Sequence, residues 1–435
     1  MPNLMRSTVP LGVAAGCAAA FLIPGPPPAE AFAGDEIASL RAQGPAALAG
    51  LLARYDRLAP GVVRDQLALT IDKVAAQRYA TESRLYWYTD LAQAEAAALT
   101  EHRPILALRM LGRLDEDLSC ANSRLFRTTL YANADVSKFL RDNFVLYWSS
   151  ERPVPRVTID FGDGRKIEGT TTGNSAHYVL DEHGTVLDVL PGLYAPALFK
   201  QELGKSVALA KRVRGLDTKR RSAATVEFHR AAMEQRATAF ANIRGTRYTP
   251  GDRDFIAPLE RAQRATMAKA SIEMRQLAQI GIDAGTISPA DISQWATIGQ
   301  RLWKLGESTQ PRRVGFDQPR KPAPHGAFAT FDPRSVALIA RLHNANKSRL
   351  PADANELQQL VVRLEHAVIA DSALAELSLR TQIRAQIVAT AELRFDTLNA
   401  WIYANVFHTP KVDPWLGLLP RTDFTGLPGD GVVMP

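Results

Sequence analysis

Cys120 and Ser123 stand three residues apart in "LSCANSRLFR", and no other pair in the chain comes as close to a reactive group with its own surroundings. A cysteine that opens a helix feels the partial positive charge of the unpaired backbone N–H groups, which favours the thiolate. Arg124 and Arg127, one turn on, push the same way, while Asp115, Glu116 and Asp117 oppose them. A thiolate there attacks a disulfide and forms a mixed disulfide. Ser123 cannot resolve it, because an alcohol is a poor nucleophile toward sulfur, so release needs an external thiol and turnover is monothiol. Ser123 has two readings: it donates a hydrogen bond to the sulfur, or it satisfies backbone donors at the helix start. Cys120 likewise has a second reading, as a small packing residue.

Other chemistries find little support. The eight histidines are scattered, with no i, i+4 pair and third ligand, so no metal site is expected. His177 is either a strand histidine held in the core or a group facing Cys120. The two "GDG" stretches, at 162–164 and 429–431, are turns without a phosphate-loop pattern, and there is no G-x-S-x-G, so no cofactor is expected. The net charge of +7 is dispersed, which argues against nucleic acid as a partner.

The elements that must position Cys120 follow from the apolar pattern. With 435 residues, 46% of them hydrophobic, the chain can build more than one core. Residues 1–33 read as an export signal: a positive start, an apolar run from Val9 to Ile23, then Ala-x-Ala patterns ending at Ala31 and Ala33. The run is short for a membrane span, and no transmembrane helix is expected in the mature chain. Cys17 in "AAGC" offers a lipoprotein alternative; without it, Cys120 is the one thiol left. Residues 34–84 read as a helical flank of two helices broken at Pro60–Gly61. From 85 to 213 the grammar changes. "LYWY" reads as a short strand and a helix opens near Asp90. "PILALRML" and "FVLYW" are buried strands, with a helix between them capped at Asn133 or Asp135. Hairpins turn at Asp163–Gly164 and His183–Gly184, and a helix closes the unit. Residues 214–306 are helical, with Ala270, Met274 and Leu277 on one face and a stop at Gly281. Residues 307–333 form a Pro/Arg-rich connector. Residues 334–408 are helical again, with a capping box at Asp353–Glu356 and a stripe of Leu357, Val361, Leu364 and Val368. Residues 409–435 are a Gly/Pro-rich tail whose Trp415, Leu416 and Phe424 are expected to lie over the protein's own core.

The order of strands and helices over 85–213 resembles the thioredoxin-like superfamily, within it an exported bacterial branch carrying "SCANSR" and "VTIDFGDGR". "AEAAALTEHRPIL" resembles that family's A-x-x-x-K-P-I-L opening, with Arg103 for Lys, and "YVLDEHGTVLDVLPG" resembles its final hairpin. The resemblance implies an α/β thioredoxin-like domain, here between an α-helical N-terminal flank and a mainly α-helical C-terminal region. It makes Cys120 the attacking thiol, Ser123 the replacement for the second motif cysteine, and Arg124 a thiolate-stabilising group. The family's cis-proline falls at Ser175, where a cis bond would cost about 3–4 kcal/mol, so Ser175 is expected trans. Two functions follow. One is monothiol exchange with an external thiol or an unknown protein partner. The other is a redox-inactive scaffold that binds a protein or polymer of the cell envelope.

Overall fold

The computed structural model describes residues 34–171, 173–244, 289–303, 330–345, 351–390, 394–416 and 427–432. The expectations for residues 1–33, Cys17 included, for Ala270, Met274, Leu277 and Gly281, for most of the connector, and for Phe424 lie outside the described residues.

The apolar run after Pro104 becomes β1 (Ile105–Leu111), the inner strand around which the sheet forms. "FVLYW" begins β2 (Val145–Arg152), which pairs parallel to β1, Ile105 opposite Val145. The connection between them runs through α6 (Ala121–Leu125), a π-turn (Phe126–Leu130) and α7 (Ala134–Asn143). Asn133 caps α7, accepting from the N–H groups of Asp135 and Val136. The Asp163–Gly164 hairpin forms β3 (Arg156–Asp160) and β4 (Lys166–Thr170), a separate, largely exposed two-stranded sheet. The His183–Gly184 hairpin forms β5 (Ser175–Leu180) and β6 (Val186–Pro191), and β5 pairs antiparallel to β1. The main sheet is therefore mixed, in the order β2-β1-β5-β6. All six residues of β5 and of β6 are buried, as expected of strands covered on both faces. α8 (Pro196–Val213) closes the unit, with Pro196 in its first turn.

The N-terminal flank departs from the expected pair of helices. It holds α1 (Gly34–Ala42), α2 (Pro45–Arg57), α3 (Val62–Ala75) and the single turn α4 (Ala80–Ser83), with the expected break at Pro60–Gly61. "LYWY" makes one bridge, Tyr88 to Tyr147, and no full strand. Trp87 is fully buried, its indole donating to Gln77 at 2.7 Å and its backbone N–H bonding Ala75 O at 3.1 Å, which draws the segment away from β2. Asp90 caps α5 (Leu91–Glu101) as expected.

Beyond α8 come α9 (Thr218–Arg244), α10 (Pro289–Trp303), α11 (Pro333–His343) and α12 (Ala354–Leu374). A second π-turn (Ala375–Leu379) leads into α13 (Arg380–Ala389), and α14 (Phe395–Asn405) follows. The Asp353–Glu356 capping box forms in full, and Leu357, Val361 and Val368 are buried below it. Gly299 lets α10 approach α12 closely, since a Cβ there would sit 2.9 Å from the Ile369 side chain.

The helical region and the sheet share cores. On one sheet face Leu106, Leu108, Met110 and Val179 pack with α8 and, further out, with Val361, Val368 and Tyr403. On the other face Ile105, Ala107, Tyr178 and Val189 pack against Ala94 and Ala98 of α5, Ile383 of α13, and Leu398 and Ile402 of α14. Each fully buried aliphatic side chain contributes about 1.5–3 kcal/mol. The connection from β2 to β5 carries the β3–β4 hairpin, and α13 with α14 packs on this face beside α5. Arg109, the one charge in β1, finds its partners there: Asp396 at 2.8 Å, Ser149 at 2.9 Å, and the ring of Phe395 at 5.0 Å. The tail follows the sequence expectation only in part, because Leu416 is buried while Trp415 stays 38% exposed. No helix among the described residues is long and apolar enough to cross a membrane.

Candidate functional site

Cys120 is the N-cap of α6, and the run of helix and π-turn after it carries Leu125 and Phe126 inward. The loop that delivers it turns back from β1 at Gly112, whose φ of +73° favours glycine and whose missing Cβ leaves room for Val154 at 3.0 Å and the Ser119 backbone at 3.4 Å. Cys120 N–H then bonds Leu111 O at 3.3 Å. Arg127 fixes the rest of the loop. It is buried and donates to the carbonyls of Leu114, Glu116 and Asp117 and to Ser119 Oγ at 3.0 Å. Burial pulls its guanidinium down to about 10. Arg127 thus holds the loop, whereas the acidic Asp117 pairs with Arg78 at 2.8 Å.

The thiol itself has zero exposure. Its Sγ–H donates to Ser123 Oγ at 3.4 Å, the reverse of the expected direction, while the Ser123 hydroxyl has Cys120 O and Ser119 Oγ as acceptors, each at 2.8 Å. Arg124 turns to Thr170 Oγ1 at 3.0 Å, at the base of the exposed hairpin, and Thr170 Oγ1 in turn donates to Ser119 O at 3.1 Å. This bond ties the helix that follows Cys120 to that hairpin. Ser175 opens β5 opposite Met110, on the sheet face that carries the Cys120 core, and no cis peptide occurs among the described residues. Its hydroxyl is buried without a hydrogen-bond partner. His177, two residues on, is a fully buried imidazole whose Nε2 meets Tyr131 OH at 2.6 Å, between the rings of Phe126 and Phe199. Burial pulls it down to about 3, so it is neutral at ordinary pH. Burial, and then the neighbouring Cys120, push the Tyr131 hydroxyl well above its usual value.

The C-terminal region joins the same core. Tyr403 of α14 is buried in the same core, and burial, then Tyr178 and Cys120, push its hydroxyl well above the usual value. Tyr403 OH donates to Asn174 O at 3.1 Å, and the Asn174 amide donates to Thr409 Oγ1 at 3.0 Å. Residues 403–409 are thereby tied to the residue that precedes Ser175.

A second constellation was not foreseen from the sequence. Asp188 of β6, Glu202 of α8, Arg236 of α9, Glu376 of the second π-turn, and Arg380 and Arg384 of α13 meet in the interior. Arg380, with no exposure, bridges Asp188 at 2.6 Å, Glu202 at 2.8 Å and Glu376. Arg236 reaches Glu202 at 2.5 Å and Glu376 at 3.0 Å, and Arg384 reaches Glu202 at 3.6 Å. Burial alone would raise the carboxyl of Asp188, but the Arg380 charge, with His229 and Arg384, holds it below its usual range; Glu376 is held down in the same way by Arg380 and Arg236. Two signals mark the cluster in the sequence: Asp188 interrupts the apolar "VLDVL", and Glu376, Arg380 and Arg384 repeat at i, i+4.

No group of three or more His, Cys, Asp or Glu side chains among the described residues could hold a metal ion. Compared with protein-family models, curated proteins and solved structures, the chain gives no match.

Proposed function

We propose that residues 85–213 form a thioredoxin-like unit that has given up redox turnover, and that the protein is an exported binding scaffold of the cell envelope. The strand order β2-β1-β5-β6, a cysteine capping the helix after β1, and a final antiparallel hairpin followed by a helix support the thioredoxin-like reading. The observation that supports the loss of chemistry is the burial of Cys120: a thiol with no exposure, donating to Ser123, is withheld from an incoming disulfide. Ser123 and Ser175, in place of the second cysteine and the proline, agree with it. Export rests on the Val9–Ile23 run and its Ala-x-Ala sites, and mature protein is expected to begin near Phe32 or Gly34.

The test is iodoacetamide alkylation of the folded protein, read by mass spectrometry on the Cys120 peptide. Protection until the protein is unfolded is the expected result. Labelling of native protein at the rate of a free thiol would restore the monothiol reading.

A further inference from the structure

A cavity of about 470 Å³ opens at the starting ends of β1 and β2, the opposite end of the parallel pair from Cys120. This volume is in the range of small-molecule sites, about 300–1,000 Å³. Its walls are of two kinds. Leu48 and Leu52 of α2, with Phe144 and Leu146 at the start of β2, give it an apolar lining. Three arginines, Arg84, Arg103 and Arg141, line the same cavity. Two of them are neutralised: Arg84 forks onto Asp56 at 2.6 and 2.9 Å, and Arg103 pairs with Glu101.

Arg141 is different. It is half-buried and donates to Ser83 O at 2.7 Å, with no carboxylate in ion-pair range among the described residues. Its nearest acid in sequence, Asp142, is taken by Lys138 at 2.5 Å. Burial, and then the charges of Arg84 and Arg334, pull its guanidinium below the usual value, while Asp142 acts in the other direction. A partly desolvated cation beside two others is stabilised by an anion, and the adjoining wall is stabilised by an apolar chain.

We propose that this cavity binds a single-chain fatty acid, with Arg141 holding the carboxylate and the chain lying along Leu48, Leu52, Phe144 and Leu146. The inference is independent of the state of Cys120 and goes beyond the scaffold reading, naming a ligand class at a second site.

The experiment is isothermal titration of the full chain with dodecanoate, and with dodecanol as the uncharged control. Dodecanoate is expected to bind one to one, at least tenfold tighter than dodecanol. Arg141→Gln should weaken dodecanoate at least tenfold and leave dodecanol unchanged, and Arg141→Lys should recover most of the loss. Ala53→Trp, at an exposed position of α2 that lines the cavity, should abolish both without changing the circular dichroism. Absence of saturable dodecanoate binding overturns the proposal, as does binding that Ala53→Trp leaves intact. Equal affinity for dodecanoate and dodecanol in the unmutated protein also overturns it, and that comparison decides the matter if Arg141→Gln does not fold.

Discussion

The cluster around Cys120 and the cluster around Arg380 are both closed to water and both adjoin a π-turn, yet they are built from opposite materials. Around Cys120 the groups are a thiol, hydroxyls, carbonyls, a neutral imidazole and the guanidinium of Arg127, which meets carbonyls and Ser119 rather than a carboxylate. Around Arg380 three arginines and three carboxylates come from β6, α8, α9, the second π-turn and α13. This cluster loses little when the thiol is trimmed, because no charge loses a partner. In the ionic cluster each charge is compensated by partners on other elements, so one deletion leaves several buried charges unbalanced. The contrast separates a fossil of chemistry, as we read Cys120, from the device that joins the sheet to the helical region.

The largest effect is expected from Arg380→Met. It strands Asp188 and leaves Glu202 and Glu376 with Arg236 as their shared arginine, and should cost about 3–5 kcal/mol in urea unfolding. A loss below that of Cys120→Ala would invert the comparison.

The pH dependence sharpens it further. His177 in the Cys120 cluster and His229 beside the ionic one are held by burial at about 3 and about 4. Unfolded, both take up a proton near 6.5, so the unfolded chain binds more protons as pH falls and stability drops below pH 6.5. The slope is ~1.4 kcal/mol per pH unit for each histidine. Asp72, raised by burial to about 6, opposes this, because the folded chain takes its proton first as pH falls from 6 toward 4. His177→Gln should make the net slope between pH 6.5 and 4 less destabilising toward acid by ~1.4 kcal/mol per unit; an unchanged slope would mean His177 is charged in the fold. The carboxylates of Asp188 and Glu376, held below their usual range, keep contributing until the pH falls below about 4.

Cys120→Ala should cost about 1 kcal/mol, the size of a small core deletion, and leave the circular dichroism unchanged. The smallest effect is expected outside both clusters. Asp56→Asn breaks a pair whose side chains are 42% and 38% exposed, and should change stability by less than about 1 kcal/mol.

The local grammar of the sheet was legible because its signals are short-range. Pro104 to Leu111, the cap at Asn133 and the turns at Asp163–Gly164 and His183–Gly184 each act within a few residues. What stayed hidden depends on partners distant in the chain. "LYWY" has strand composition, but Trp87 is claimed by Gln77 and Ala75. Arg124 lies one turn from the thiol in sequence, but Thr170 of the hairpin draws it away. The position of Cys120 at a helix start could be read from "CANSRLF"; its complete burial could not, because nothing in the local pattern says that Tyr403 of α14 joins this core.

The late cover of the sheet has a consequence in time. Ile105, Ala107, Tyr178 and Val189 lie on strands complete by residue 191, but α14, which completes the cover that α5 begins, starts at Phe395. At a synthesis rate of about 5–20 residues per second, the strands exist for on the order of ten seconds or longer before their cover emerges. Through that interval both sheet faces await part of their cover, since Val361, Val368 and Tyr403 of the other core also come later. A ribosome stalled between those points holds the species on which chaperone capture or aggregation is decided.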